Sequence, residues 1–223
     1  MASNQDPLYA VMRGAPSTRR FTGEPVPREV LERVLENARF APSGGNRQGW
    51  RVIVVTDRDT RRRLRELYEP HWMEYTQKTG ARAAIEAGKA SGLPAGRLRM
   101  LRNADEFAHR FDEVPVHLVP CVELSALAIT DAELDRPSIV GGASIYPFVQ
   151  NILLALRHEG LGAAFTTLLV PAEPEVRVLL GIPKEMALAG HISAGYRADP
   201  WPRQLSRKPA SEFAFGERYG APW

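Results

Sequence analysis

Residues 41–55, APSGGNRQGWRVIVV, join a polar turn directly to a run of β-branched residues. The final run, 52–55, is typical of a strand that is buried on both faces of a sheet. The preceding turn carries two adjacent glycines, whose backbone N–H groups allow a flat or anionic ligand to approach closely. Ser43, Asn46 and Gln48 add donors and acceptors that can bind the edge of a heterocycle. Because the same residue types occur in ordinary helix-to-strand connections, the turn alone leaves a cofactor site and a plain loop equally open.

Apolar patterns on both sides of this stretch predict an alternation of helices and strands. A short helical pattern begins at Leu8, and an amphipathic helix with Pro27 in its first turn leads into the opening stretch. Asp57 is placed to cap a following helix that runs to Tyr68. Later runs predict strands at 114–124, 163–169 and 186–196, with helices at 144–160 and 173–181. The first of these two helices has so little polar surface that we expect it to be buried centrally or to lie at a subunit interface.

Residues 69–113 interrupt this alternation. The segment mixes His71, Trp72 and Tyr75 with glycine, alanine and many charges, and it lacks a sustained apolar period. A long polar excursion inside a compact domain is usually functional or mobile. We therefore predict a lid that carries one or two helices and closes over a ligand. An arm that wraps around a partner subunit is the alternative.

Length, charge and cysteine content exclude several classes of protein. The 223 residues contain no segment typical of a linker, so we expect a single domain over 1–223. The net charge of +3 is small and scattered, and the arginines at 61–63 are typical of a solvated helix face, so no nucleic-acid partner is predicted. The single cysteine, Cys121, excludes an internal disulfide framework and favours the cytoplasm. Neither a signal peptide nor an apolar run of about 18 residues is present, so no membrane association is predicted.

The motifs of common catalytic and metal sites are absent from the sequence. Its five histidines form no HExxH or other paired ligand pattern, so no metal is predicted. His117 and His191 lie within strand patterns, which favours structural histidines with satisfied hydrogen bonds. No GxSxG elbow and no GxGxxG after a strand occur. The remaining candidates are donor-rich turns and two basic ends, which is expected of a protein whose bound cofactor supplies the chemistry.

Several motifs occur together in an order that resembles the nitroreductase superfamily of FMN flavoproteins. They are STRRF at 17–21, VPREVLERVLENARFAPSGGNRQGWRVIVV at 26–55, GASIYPFVQNILLALRHEGLGAAFTTLL at 142–169, RVLLGIP at 177–183, AGY at 194–196 and SRKP at 206–209. The similarity extends from about residue 8 to 212 and leaves out most of 69–113. The threonine pair and the SRKP ending look closest to the branch that includes iodotyrosine deiodinase.

The resemblance implies an α+β fold, in which helices flank a central mixed sheet, and an intertwined homodimer. It also implies FMN bound across the dimer interface, with NADH or NADPH as electron donor. By a ping-pong mechanism, the reduced flavin would then reduce a small planar acceptor such as a nitroaromatic compound or a quinone. A flavin-dependent reductive dehalogenase, or a flavin-binding protein with little turnover, stays open as an alternative.

The same resemblance assigns the phosphate end of FMN to the two basic ends of the chain. Ser17 and Arg19 match positions that bind the phosphate and the ribityl chain, and Arg207 matches a C-terminal phosphate-binding arginine. Many relatives carry one or two arginines directly before the serine, where this chain has an alanine and a proline. Arg20 and Arg13 are the candidates to replace that missing charge.

Two further segments match positions around the flavin ring. A loop that lies against the flavin of the other subunit is matched by Pro42, Ser43, Gly44 and Asn46. The strand end that faces the flavin N5 edge is matched by Thr166, Thr167 and Leu168. Among these, Thr167 is the candidate catalytic residue, because it would set how readily the flavin works in one-electron steps.

The lid departs from the deiodinase pattern. In the deiodinase, a glutamate and a tyrosine four residues apart, with a lysine further on, grip the zwitterionic substrate. Tyr75 falls near this tyrosine, whereas His71 stands in place of the glutamate. Iodotyrosine is therefore not the expected substrate.

Overall fold

The computed structural model describes residues 7–223 and has an α+β fold around one five-stranded sheet. The strands are β1 (Trp50–Val55), β2 (Val116–Glu123), β3 (Gly162–Thr166), β4 (Met186–Leu188) and β5 (His191–Gly195). They follow the order β1-β2-β5-β3 across the sheet, and β4 pairs with the last three residues of β2. Every pairing between these strands is antiparallel, so the expected mixed sheet is wrong for the strands themselves. A parallel contact occurs as the isolated bridge between Ser17 and Ala163.

Seven helices surround this sheet in the part of the chain that the structure describes. They are α1 (Pro7–Arg13), α2 (Arg28–Ala38), α3 (Arg58–Lys78), α4 (Ala81–Ala87), α5 (Ala95–His109), α6 (Tyr146–His158) and α7 (Glu173–Leu180). The cap predicted for α3 is confirmed, since Asp57 Oδ2 accepts hydrogen bonds of 2.8 Å from both the backbone N–H and the hydroxyl of Thr60. No helix among the described residues is long and apolar enough to cross a membrane.

Two hydrophobic cores form on opposite faces of the sheet. One core packs α2 and α6 against the sheet, through residues such as Val34 and Ile152. The other packs α3, α5 and α7 against the opposite face, through residues such as Leu64, Phe107 and Val176. The long apolar helix predicted at 144–160 is α6, and its buried face packs into the first core, where the Phe148 ring stacks on the Trp50 ring with centroids 4.8 Å apart. Leu153 and Leu154 are only half-buried, so the subunit interface stays a prediction for the other face.

The strand that is buried on both faces is β2 rather than β1. Every residue from Val116 to Val122 is buried, because β2 lies between β1 and β5. β1 lies at the edge of the sheet, where Val52 and Ile53 are half-buried and Val54 is 40% exposed. The prediction for 52–55 was therefore wrong, since an unbroken β-branched run does not distinguish an edge strand from a central one.

The excursion at 69–113 is more regular than its composition indicated. Helix α3 continues ten residues beyond its predicted end at Tyr68 and contains Pro70, and α4 and α5 follow it. These helices are joined by Asp105, which accepts hydrogen bonds from Trp72 Nε1 at 2.8 Å and from two nitrogens of Arg82 at 2.6 and 3.1 Å. Helices that carry buried anchors of this kind are not a loosely held loop.

The last predicted strand, 186–196, is divided into β4 and β5. Gly190 lies between them with a φ of 147°, a conformation that side-chain-bearing residues rarely adopt. A Cβ at this position would lie 2.5 Å from the ring of Phe165, so the close approach also requires glycine. The break lets one apolar run pair with two different parts of β2.

Candidate functional site

The segment Ser17–Thr18 is fixed against β3 at the start of the site. The backbone N–H of Thr18 donates to the carbonyl oxygen of Ala163 at 2.7 Å, and the Thr18 hydroxyl accepts from Arg197 Nη1 at 2.5 Å. Gly162 makes room for this contact, because a Cβ there would lie 2.5 Å from the Thr18 hydroxyl. Buried Thr18 thereby leaves its neighbours Ser17 and Arg19 on the surface beside the strand.

A cavity of about 410 Å³, termed here the β3 cavity, opens at the end of this strand. Its polar lining comes from Arg19, Thr166 and Thr167, and its walls are mainly aromatic and apolar. The wall residues are Tyr68, Trp72, Tyr75, Ala104, Phe107, Ala164, Phe165 and Leu168. This volume lies within the range of small-molecule sites, and aromatic walls with a few convergent polar groups suit a planar ligand. Arg19 and all three residues predicted for the flavin N5 edge are therefore brought together.

The polar groups of the β3 cavity interact with one another. Burial raises the pKa of the Tyr68 hydroxyl, against a hydrogen bond with Thr166 and the nearby charge of Arg19, which lower it. Thr166 Oγ1 also accepts from the backbone N–H of Leu168 at 3.2 Å. Thr167 is exposed, and its hydroxyl has no hydrogen-bond partner within 7–223, so it is free to bind a ligand.

A second cavity, of about 270 Å³, adjoins the first through Arg19 and is termed the arginine cavity. It is lined by Ser17, Arg19, Arg20, Gly96, Arg99, Met100, Asn103, Arg197 and Asp199. Arg20 Nη1 forms an ion pair with Asp199 Oδ1 at 3.0 Å, so its charge is already compensated. Arg19 and Arg99 form no ion pair within the described chain. An anionic group would therefore find two unpaired guanidinium groups at this cavity.

The remaining predicted site residues lie apart from both cavities. Arg207 is exposed, and it donates from Nη1 to the carbonyl oxygen of Ser206 at 2.7 Å. Neither cavity includes Arg207 among its lining residues. Its predicted role at the phosphate is thus not visible as a contact within one chain.

The loop at 42–46 is also absent from the lining of both cavities, but it has a defined shape. The backbone N–H of Gly44 donates to Ser144 Oγ at 3.0 Å, and the N–H of Gln48 donates to Ser43 Oγ at 3.0 Å. Gly45 and Asn46 adopt left-handed conformations, with φ of 60° and 54°. The loop is exposed on the surface, as expected of a loop that would serve the site of another subunit.

Sequence reasoning placed Trp72 and Tyr75 in a lid over the ligand, but it missed Tyr68 and Phe107 as aromatic walls of the site. Tyr68 and Phe107 come from different helices, and only the folding of α5 against α3 brings them together. It also missed a stack in which the Trp201 ring is contacted by the guanidinium carbons of Arg157 at 3.8 Å and Arg197 at 4.8 Å. The sequence signal that could have identified Arg197 is its position directly after the AGY motif.

The buried titratable groups outside these cavities have structural environments. His117 Nδ1 and His191 Nε2 lie 2.7 Å apart with both side chains fully buried, which confirms that the two histidines belong to the core. The prediction that their hydrogen bonds are satisfied holds for one nitrogen of each ring only, because His117 Nε2 and His191 Nδ1 are buried without a hydrogen-bond partner within 7–223. Cys121 is buried, and burial raises the pKa of its thiol to about 11, so it is a poor nucleophile. No group of three or more potential metal ligands occurs among residues 7–223.

Comparison with known proteins agrees with this arrangement. The chain is 32% identical to a 4-nitrobenzoate reductase from Nocardioides over 84% of its own length and 79% of the relative's. It is 30% identical to an NADH dehydrogenase from Thermus thermophilus, over 82% and 83% of the two lengths. A crystal structure of oxidized iodotyrosine deiodinase bound to FMN and 3-iodo-L-tyrosine superposes with a TM-score of 0.66 at 26% identity, covering 94% of this chain and all of the other. Residues 12–196 match the model of the nitroreductase family, and the chain belongs to that family.

Proposed function

We propose that this protein is an FMN-dependent oxidoreductase that takes electrons from NADH or NADPH and passes them to a small planar acceptor. The observation that carries the proposal is the β3 cavity, where the unpaired Arg19 and the free hydroxyl of Thr167 face aromatic walls. The names of the relatives support each half of the reaction, since one is a nitrobenzoate reductase and another an NADH dehydrogenase.

The donor set of the site fits FMN. A phosphate requires cationic and hydroxyl donors, which Arg19 and Ser17 supply where the two cavities meet. A flavin ring requires a flat apolar space with a hydrogen-bond donor at one edge, which the β3 cavity supplies through Phe165 and Thr167. Ser17, Arg19 and Arg207 would hold the phosphate, with Arg20 kept in place by Asp199.

FMN, when bound, supplies the transfer of hydride from the nicotinamide and the delivery of electrons to the acceptor. The protein's own residues bind and orient the reactants. Thr166, Thr167 and Leu168 would present hydroxyl and amide donors to the N5 edge, and fixed dipoles of this kind stabilise developing negative charge. Donor and acceptor would contact the same exposed face of the flavin in turn, which is the basis for a ping-pong order.

The loop at 42–46 would complete the site of a second subunit. It is exposed, its Gly44 N–H donates to Ser144 Oγ, and its residues Gly45 and Asn46 are left-handed, so it presents a defined surface that lines neither cavity of its own chain. The proposed active form is therefore a homodimer in which each subunit contributes this loop to its partner.

The absorption spectrum of the purified protein tests the proposal. We expect a flavin spectrum that is bleached anaerobically by NADH or by NADPH, and that returns when a nitroaromatic compound or a quinone is added. A colourless protein that fails to bind added FMN would contradict the proposal. A yellow protein that neither nucleotide bleaches would instead indicate a flavin-binding protein with little turnover.

Reductive dehalogenation is the second candidate function, because the solved deiodinase is similar over the whole of its own chain. In the deiodinase pattern, the residues at positions 71 and 75 both grip the substrate. Here Tyr75 lines the β3 cavity but His71 does not, which is evidence against this function. Release of halide from a halogenated phenol by the dithionite-reduced protein, at a rate above that for nitroaromatic compounds, would favour this second function.

A further inference from the structure

Helix α5 forms a continuous wall along both cavities. Gly96, Arg99, Met100 and Asn103 line the arginine cavity, and Ala104 and Phe107 line the β3 cavity. Steps of three and four residues place these side chains on one side of the helix. Arg19 also lines both cavities and joins them. A single ligand can therefore contact Arg99 at one end and the aromatic walls at the other.

The charges along this wall are not balanced. Four arginines and one aspartate line the arginine cavity, and the aspartate is engaged by Arg20. Arg197 is also engaged, since it donates to Thr18 and lies against the Trp201 ring. If Arg19 holds the phosphate of FMN, then Arg99 is the unpaired guanidinium that remains. Asn103, one turn further along α5, adds an amide that can donate to the same anion.

We propose that the electron acceptor is an aromatic carboxylate whose carboxyl group is bound by Arg99, with Asn103 beside it. The inference rests on the proposed function and adds the class of acceptor. The acceptor ring would lie against the helical wall of the β3 cavity, at Tyr75 and Phe107, and leave the strand wall at Phe165 and Thr167 to the flavin ring. The carboxylate extends along α5 to the guanidinium. A guanidinium matches a carboxylate bidentately, which fixes the ring in one orientation as well as adding affinity.

The test is an equilibrium titration of the oxidised holoprotein, with no electron donor present. The probes are 4-nitrobenzoate and 4-nitrobenzamide, which have nearly the same shape but differ in charge. We expect the benzoate to bind the unmodified protein at least about tenfold more tightly than the amide, because hydrogen bonds to charged groups are the stronger ones. Arg99→Gln should remove that preference and leave the dissociation constant of the amide unchanged.

Arg97→Gln is the matched control. Arg97 lies on the same helix and is exposed, but it is not among the residues that line either cavity. This variant loses the same charge and should keep the preference for the benzoate. Equal affinities for the two probes in the unmodified protein, or equal losses in both variants, would overturn the proposal.

The two proposals fail in different ways. Loss of FMN from the Arg99→Gln variant would show that Arg99 itself holds the cofactor phosphate, and would overturn the carboxylate assignment alone. Failure of NADH and NADPH to bleach the flavin would contradict the proposed function, yet the titration would still report whether Arg99 selects a carboxylate.

Discussion

Arg207 is the residue whose predicted role depends most on an assembly larger than one chain. Its guanidinium is exposed and contacts only the backbone of Ser206 within 7–223. If it binds the FMN phosphate, Arg207→Ala should weaken FMN binding by about 1.5 to 3 kcal/mol, or roughly tenfold to a hundredfold. Flavin content after dialysis and the FMN dissociation constant measure this effect.

Arg203→Ala is the control for this prediction. Arg203 is an exposed arginine of the same C-terminal segment, outside the SRKP motif. The control should retain its flavin. An Arg207→Ala protein that purifies with undiminished FMN would rule out the phosphate assignment.

The buried pair His117 and His191 predicts a loss of stability in acid. Burial lowers the pKa of His191 to about 3, and burial together with the charges of His191 and Arg61 lowers the pKa of His117 well below its ordinary value. Both histidines bind protons in the unfolded chain below about pH 6.5, while the folded pair stays neutral. Their contribution is therefore complete above pH 6.5 and decreases as the pH falls.

Urea unfolding at several pH values measures this linkage. Each histidine contributes a slope of about 1.4 kcal/mol per pH unit below pH 6.5, until its folded pKa is reached. His191→Gln removes one titrating group and should flatten the dependence between pH 6 and pH 4 by roughly that amount per unit. An unaltered slope in the His191 variant would contradict the prediction.

At the scale of elements, the sequence predicted the helices better than it predicted the position of each strand in the sheet. The periodic apolar face of α2 and the Asp57 cap of α3 are local signals, and both were confirmed. Which strand occupies the centre of the sheet is a non-local property, so the run at 52–55 was placed wrongly. Residues 69–113 lack an obvious period because their buried apolar residues, such as Trp72 and Phe107, are few and widely spaced, and polar anchors such as Asp105 supplement them.

The candidate site shows the same difference between local signals, which a motif can identify, and non-local packing, which it cannot. Thr166, Thr167 and Leu168 are consecutive in the chain, so a motif can identify them, and they line the β3 cavity together with Arg19. The aromatic walls cannot be found in this way, because Tyr68 and Phe107 meet only through tertiary packing. The contribution of the loop at 42–46 stays a prediction, since it concerns a second subunit.

From the structure of 69–113, we predict separate roles for two neighbouring aromatic residues. Tyr75 is 48% exposed and lines the β3 cavity, whereas Trp72 is 8% exposed and donates to Asp105. Both rings line the β3 cavity, but the Trp72 ring also belongs to the core. Tyr75→Ala should raise KM for the acceptor severalfold while flavin content and reduction by the nicotinamide stay intact. Trp72→Ala should instead cost about 3 to 5 kcal/mol of unfolding free energy.

Steady-state kinetics with two acceptors, together with urea unfolding, separates these outcomes. Tyr219→Ala, which removes a tyrosine that is 95% exposed, should affect neither measurement. A Tyr75→Ala protein that fails to be reduced by either nucleotide would contradict the assignment of this element to the acceptor. Limited proteolysis then distinguishes a lid, which the acceptor would protect, from an arm, which would resist cleavage in both states.

At the scale of the whole molecule, large apolar side chains are exposed near the loop at 42–46. Phe40, just before the loop, is 76% exposed, and Ile139, near the Ser144 turn that holds Gly44, is 73% exposed. Exposed apolar side chains of this size are costly in water, and burial of one is worth about 1.5 to 3 kcal/mol. Their position beside the loop proposed to enter the partner's site identifies this face as the expected dimer contact.

Phe40→Glu should therefore weaken the dimer and release FMN in the same transition, because the site would be complete only when both subunits are present. Replacing a buried apolar ring with a charge should raise the dimer dissociation constant by at least about a hundredfold. Light scattering and flavin fluorescence during serial dilution measure the two events together. Val178→Glu, at a position that is 87% exposed on α7, is the control and should change neither. A monomer that remains saturated with flavin would show that one chain suffices for the site, and would leave the loop at 42–46 as a plain connection between α2 and β1.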